Sequence, residues 1–237
     1  MLLKVPTIRR KSLLERSSTL LTINDNNVEK IDLKDYKIEY KIGKTNLGNI
    51  YICKNRKTNK LFFMKILKKA KLLLNKNTEH VTNEYLILST VFHPFIIDLR
   101  GINNTDPVTL NFIYEYIPGG NLNNLLKKEK RLPLEYAKFY LASVITAFDY
   151  LHKKNYIYRD LRPQNILINK DGYIKLAEFS FAKKMDNEFT FTMCGLPEYY
   201  SPEMVMKSGY NKSTDFWSLG IILYEMLIGC TPFLDSD

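Results

Sequence analysis

The stretch Tyr158-Arg159-Asp160-Leu161-Arg162-Pro163-Gln164-Asn165 sets a carboxylate five residues before a carboxamide, with a guanidinium just ahead of it and a proline between the two. Apolar runs flank this polar block. Before it, Leu141, Val144, Ile145, Phe148 and Leu151 recur at the spacing of one helix face, which predicts a helix over about 133–153. After it, Ile166-Leu167-Ile168 reads as a short strand. A polar loop held between rigid elements is a good place for catalysis, so Asp160 and Asn165 are the first candidate site residues.

Upstream, the pattern from Tyr36 is strand-like, with segments over about 36–42 and 49–54 around Ile42-Gly43-Lys44-Thr45-Asn46-Leu47-Gly48-Asn49-Ile50. Gly43 and Gly48 allow the backbone to bend close over a phosphate chain, although a hairpin turn would read the same. Phe62-Phe63-Met64-Lys65-Ile66-Leu67 follows as an apolar strand holding one lysine, and Glu84 falls on a helical segment of about 77–90. Leu110 to Ile117 reads as a buried strand ended by Pro118-Gly119-Gly120. Downstream, Tyr173-Ile174-Lys175-Leu176-Ala177 is a strand running into Glu178-Phe179-Ser180. An apolar helix opens at Ser213-Thr214-Asp215 and continues to about Leu227, with Ser213 or Thr214 expected to cap it and Gly229 to stop it.

In this order the segments resemble a eukaryotic protein kinase. Tyr158-Arg159-Asp160 with Asn165 is similar to the catalytic loop, Lys65 to the nucleotide-holding strand lysine, Glu84 to its helical partner, and Ser201-Pro202-Glu203 to the end of the activation segment. Details such as Tyr158, His80 four residues before Glu84, and Cys194-Gly195 before Pro197 resemble the AGC group, nearest its cyclic-AMP-dependent branch. The fold this implies is α+β and bilobal. A basic flexible arm over 1–34 precedes a kinase domain over 35–237, with a small antiparallel β lobe (about 36–115), a hinge (about 115–121) and an incomplete, mainly helical lobe (about 122–237).

The resemblance also implies roles. ATP would lie in the cleft between the lobes against Ile42, Gly43, Gly48, Ile50, Phe63, Lys65 and Leu167, with Glu84 aiming Lys65 and backbone groups of Glu115 and Ile117 meeting adenine. Asp160 would orient or deprotonate a substrate hydroxyl, Arg162 would contact the transferring phosphate, and Asn165 and Glu178 would hold Mg2+. Thr192 stands at the regulatory phosphosite, with Arg159, His80 and Lys183 as the cations that would receive the phosphate.

Several residues depart from the pattern. Glu178 replaces the metal-holding aspartate, moving the carboxylate by roughly one C–C bond, about 1.5 Å. Magnesium demands near-ideal geometry, and a misplacement of that size can cost on the order of 10²-fold in rate. Phe63 stands where the family has a small alanine over the adenine, Leu196 replaces a bridging threonine, and Thr45 and Ser180 replace glycines. Asn121 and Gln164 replace two acidic positions that read arginines before the phosphoacceptor, while Glu225 is kept, so preference for basic substrates should fall. No arginine follows Arg162, and the family pairs the glutamate at Glu203 with one. Were Glu203 buried, lacking that partner would cost roughly 3–5 kcal/mol. The helix at 214–227 would also present an apolar face, which a partner or further chain would cover.

Composition bounds these readings. With 237 residues, 45% of them apolar, the chain is long enough for two lobes. Lys+Arg 35 against Asp+Glu 25 gives a net charge of +10, but the lysines are dispersed and no nucleic-acid motif is present. A solvated basic surface is therefore expected. Cys53, Cys194 and Cys230 are odd in number and far apart, which argues against a disulfide framework or a zinc site. No signal-like start is seen, and the longest apolar stretch, from Leu219 to Cys230, is too short to span a bilayer and carries Glu225. Arg9-Arg10-Lys11-Ser12 has the form of a site for basophilic kinases. The expectation is a cytoplasmic or nuclear serine/threonine kinase acting on protein substrates, with a cyclic-nucleotide-responsive regulatory subunit as implied partner. A pseudokinase that binds but transfers little phosphate is the alternative.

Overall fold

The computed structural model describes residues 28–45, 47–74 and 77–233. The Arg9-Arg10-Lys11-Ser12 motif lies outside them.

Five antiparallel strands build the small lobe: β1 (Tyr36–Lys44), β2 (Asn49–Asn55), β3 (Leu61–Lys68), β4 (Leu99–Asn103) and β5 (Thr109–Glu115), in the order β1-β2-β3-β5-β4. Their β-branched and aromatic content suits a pleated, half-buried surface. The central strand β5 is buried from Leu110 to Tyr114, whereas the edge strand β1 is mostly exposed. A short helix α1 (Lys69–Leu74) precedes α2 (Thr78–Leu88), which brings Glu84 beneath β3.

The arm expected over 1–34 ends earlier than the sequence suggested. Val28 and Ile31 are buried, the Ile31 N–H donates to the Ile102 carbonyl at 3.0 Å, and the Ile102 N–H returns to Glu29 at 2.9 Å. The segment thus covers the free edge of β4, which would otherwise leave backbone groups unpaired. Gly101 permits this approach, since a Cβ there would meet Ile31 Cγ2 at 2.4 Å.

The second lobe is mainly helical, with α3 (Leu122–Glu129), α4 (Leu134–Lys153), a short α5 (Pro202–Val205) and α6 (Ser213–Ile228). Two small ribbons lie against it, β6 (Tyr156–Ile157) with β9 (Lys183–Lys184) and β7 (Ile166–Ile168) with β8 (Ile174–Leu176). One apolar cluster runs from Leu67, Tyr85 and Phe112 through Tyr158 and Phe179 to Phe148 and Ile222, so a continuous core joins the lobes.

Helix α6 starts differently from the expectation. Its cap position is Lys212, and the Ser213 N–H is taken by Asn211 Oδ1 at 3.0 Å. Thr214 turns inward instead and donates to Ser201 Oγ at 2.8 Å. Its C-terminal end is as expected, with Gly229 at φ 98°. Among the described residues no helix is long and apolar enough to cross a membrane.

Candidate active site

The polar block that anchors the sequence reading is held from below by α6. Asp215, 1% exposed, accepts hydrogen bonds from the backbone N–H groups of Tyr158 (2.9 Å) and Arg159 (2.8 Å), and from His152 Nε2 (2.7 Å). Arg159 itself sits at φ 68°, a left-handed conformation that a non-glycine residue adopts at a cost. The loop is therefore shaped by a buried carboxylate more than fifty residues away in sequence.

Above the loop, a cavity of about 360 Å³ separates the lobes. Ligand pockets begin at about 300 Å³. Ile42, Gly43, Ile50, Phe63, Lys65, Glu84, Arg162, Asn165, Leu167 and Glu178 all line it, as the sequence reading expects. Gly48, Glu115 and Ile117 are not among its lining residues. Gly48 is explained by packing, because a Cβ there would fall 2.3 Å from the Ile66 carbonyl oxygen. Glu115 Oε1 takes the Asp98 N–H at 2.8 Å and Lys175 Nζ at 2.5 Å, bracing the strand end. The Phe63 ring packs edge-to-face on Tyr116, centroids 5.2 Å apart, and forms a wall of the cavity.

Buried charge concentrates at one end. Lys65 Nζ donates to both Glu84 oxygens, at 3.0 and 2.8 Å, and to Glu178 Oε1 at 2.9 Å. Burial disfavours the ammonium, but the carboxylates of Glu178 and Glu84 outweigh it and raise the Lys65 pKa. With two carboxylates around one cation, burial raises the pKa of Glu84, although Lys65 opposes the shift. The Tyr114 hydroxyl donates to Glu84 Oε1 at 2.8 Å, and the Ser180 hydroxyl donates to Glu178 Oε1. Neither of these two donors was legible as a partner in the sequence.

Asp160 is 4% exposed and takes the Asn165 amide on Oδ2 at 2.8 Å, while Arg162 Nε lies 3.4 Å from Oδ1. Burial pushes its carboxyl up to about 7, against the opposing pull of Arg162 and Asn165. Gly195, at φ 94°, brings the activation segment onto this loop, since a Cβ there would meet the Arg159 carbonyl oxygen at 3.0 Å. Leu196 beside it is exposed.

The atoms facing the cavity suit a nucleotide with its metal. Arg162 Nε is buried and makes no hydrogen bond among the described residues, its charge set against Asp160 Oδ1 at 3.4 Å. Asn165 gives its amide N–H groups to Asp160, and Glu178 gives only Oε1 to its neighbours. Asn165 Oδ1 and Glu178 Oε2 thus remain without partners among the described residues. Two such oxygens are the ligand type that magnesium takes.

Near Thr192, the position expected to be regulatory, Arg159 donates from Nε to the Phe181 carbonyl at 2.7 Å and from Nη1 to the Tyr210 hydroxyl at 3.1 Å. Tyr210 in turn donates to the Thr192 carbonyl. The His80 ring meets Phe181 edge-on at 5.3 Å, so Arg159 and His80 converge on that residue, while Lys183 pairs with Ile157 in the β6–β9 ribbon. The Thr192 side chain is exposed. Of the substrate-reading positions, Asn121 caps α3 through the Asn124 N–H at 2.9 Å, and Gln164 donates to Asn123 Oδ1 at 3.3 Å. Glu225 accepts from Tyr199 at 2.7 Å. Glu203 is half-buried rather than buried, so the full cost of an unpaired interior charge does not arise.

A strand lysine clamped to a helix glutamate over an aspartate-asparagine loop defines a phosphoryl-transfer fold of the protein kinase class. Residues 36–237 match the protein kinase domain, and the chain belongs to that family. Within it the chain is similar to the cAMP-dependent protein kinases. It is 42% identical over 207 residues to the cAMP-dependent protein kinase catalytic subunit of Arthrobotrys oligospora, covering 87% of this chain and 40% of that protein. It is 42% identical over 208 residues to cAMP-dependent protein kinase type 3 of Saccharomyces cerevisiae (88% and 52%). It is also 40% identical over 210 residues to catalytic subunit 3 of Drosophila melanogaster (89% and 36%). The chain thus spans about a third to a half of these relatives' lengths.

Proposed function

We propose that the chain transfers the γ-phosphate of ATP to serine or threonine hydroxyls of proteins, using Mg2+. The observation that carries this reading is the Asp160 carboxylate held by Asn165 at 2.8 Å, beside a cavity whose far wall is the Lys65–Glu84 pair. Metal-bound ATP brings the phosphoryl group and the neutralising charge; positioning falls to the protein. Asp160 accepts the proton of the incoming hydroxyl, Lys65 and Arg162 set cations against phosphate oxygens, and Asn165 holds Asp160 in place. A mobile lysine would serve as a point charge, whereas the Arg162 fork adds a fixed direction.

A second reading, a pseudokinase, is favoured by one feature. Glu178 Oε1 is engaged by Lys65 and Ser180, which leaves a metal only one oxygen of a carboxylate that is one methylene longer. Thermal shift with ATP and increasing Mg2+ tests the nucleotide and metal site on which the kinase reading depends, and phosphate transfer to a peptide separates it from a pseudokinase that only binds. A metal-dependent rise in melting temperature supports the kinase reading, and a flat response in wild type and Glu178→Asp alike would remove it. A protein substrate poor in arginine near the phosphoacceptor fits the neutral Asn121 and Gln164. A cyclic-nucleotide-responsive regulatory subunit is proposed from the named relatives, and a cytoplasmic or nuclear location from the three free cysteines.

A further inference from the structure

Glu178 differs from a shorter carboxylate in where its oxygens can go, and the structure shows what its neighbours do with them. Its backbone lies at φ 56°, a left-handed turn, and its side chain is 9% exposed. Two donors reach the same oxygen: Lys65 Nζ at 2.9 Å and the Ser180 hydroxyl both end on Oε1. Oε2 has no partner among the described residues, and Glu178 lines the cavity together with Asn165, whose Oδ1 is likewise unpartnered. Ser180 is fully buried and two residues on in the same turn. Among the described residues its hydroxyl bonds only to Glu178.

We infer that Ser180 is a positioning residue that corrects for the extra methylene of Glu178. By sharing Oε1 with Lys65, Ser180 orients the carboxylate so that Oε2 is left to serve the metal. Without the hydroxyl, a glutamate held by Lys65 alone would have more rotamers open to it, and metal binding would have to select among them. A shorter carboxylate at 178 would not reach the Ser180 hydroxyl in the same way, so the two residues act as a pair. This rests on the proposed Mg2+-dependent nucleotide site and names how that site is built in this chain.

The test is a magnesium titration of the full chain at saturating ATP, read as melting temperature, for wild type, Ser180→Ala, Glu178→Asp and the double variant. Loss of a hydrogen bond orienting a metal ligand typically weakens metal affinity 10–100-fold, so Ser180→Ala should raise the half-saturating Mg2+ concentration about tenfold. In the Glu178→Asp background the same change should shift it less than about twofold, the signature of a coupled pair. Should Ser180→Ala not fold, Ser180→Gly is read in the same way. An unchanged or tighter Mg2+ response in Ser180→Ala, or an equal loss in both backgrounds, overturns the inference while leaving the nucleotide site standing. No Mg2+ response in wild type and Glu178→Asp alike overturns both.

Discussion

Asp160 places the pH dependence of any turnover on one group. Its carboxyl is raised to about 7 by burial, and only the ionised form can take a proton from a substrate hydroxyl. Initial rates should therefore climb about tenfold per pH unit below about 7 and level off above it. Stability runs the other way. A pKa raised in the folded state makes a contribution that is complete below the unfolded value and is lost as pH rises through about 7. Asp160→Asn should thus abolish transfer yet raise the melting temperature at pH 8 more than at pH 5, measured by calorimetry. Tyr114→Phe should cost about 1.5–3 kcal/mol, the worth of a hydrogen bond to a charged group, because Glu84 loses a buried donor. At this scale Lys65, Glu84, Asp160 and Asn165 were legible because their order and spacing along the chain resemble the kinase series. The Tyr114 and Ser180 hydroxyls were not, because no sequence pattern tells a packed phenol or a turn serine from one that orients a carboxylate. The packing demand on Gly48 was not legible either, since the Ile66 carbonyl that a Cβ would strike lies on a strand brought there by the sheet.

Helices α4 and α6 were predicted within a residue or so of their bounds, because their apolar spacing is regular and Gly229 marks a stop. The cap of α6 was not, as its first residues bond to Ser201 and to Asn211, contacts set by tertiary packing. Val28 and Ile31 were assigned to a mobile arm because two apolar residues in a polar stretch carry no period. Their place is set by the open edge of β4. Element ends also offer the cleanest stability tests. Gly229→Ala puts a Cβ at φ 98° and 2.7 Å from the Lys130 carbonyl oxygen. The left-handed backbone alone costs about 1–2 kcal/mol, so a fall in melting temperature of at least about 2–8 °C is expected. Asn121→Ala removes the α3 cap, worth about 1 kcal/mol, without entering the core.

Across the whole molecule, the bilobal fold was readable through the resemblance of the ordered motifs to a protein kinase, and one continuous core joins the two lobes. Helix α6 still leaves Phe216 (48% exposed) and Ile228 (56%) partly in solvent, with the Phe216 ring edge-on to Phe148. The central claim is that the cavity between the lobes binds ATP and delivers its terminal phosphate past Asp160. The most direct measurement is single-turnover transfer from γ-labelled ATP to a mixed serine/threonine peptide library, for wild type, Glu178→Asp and Asp160→Asn. The account predicts slow labelling by wild type, labelling faster by up to about 10²-fold in Glu178→Asp as the metal geometry is restored, and none in Asp160→Asn. Absence of labelling in Glu178→Asp, or labelling that survives Asp160→Asn, would contradict it.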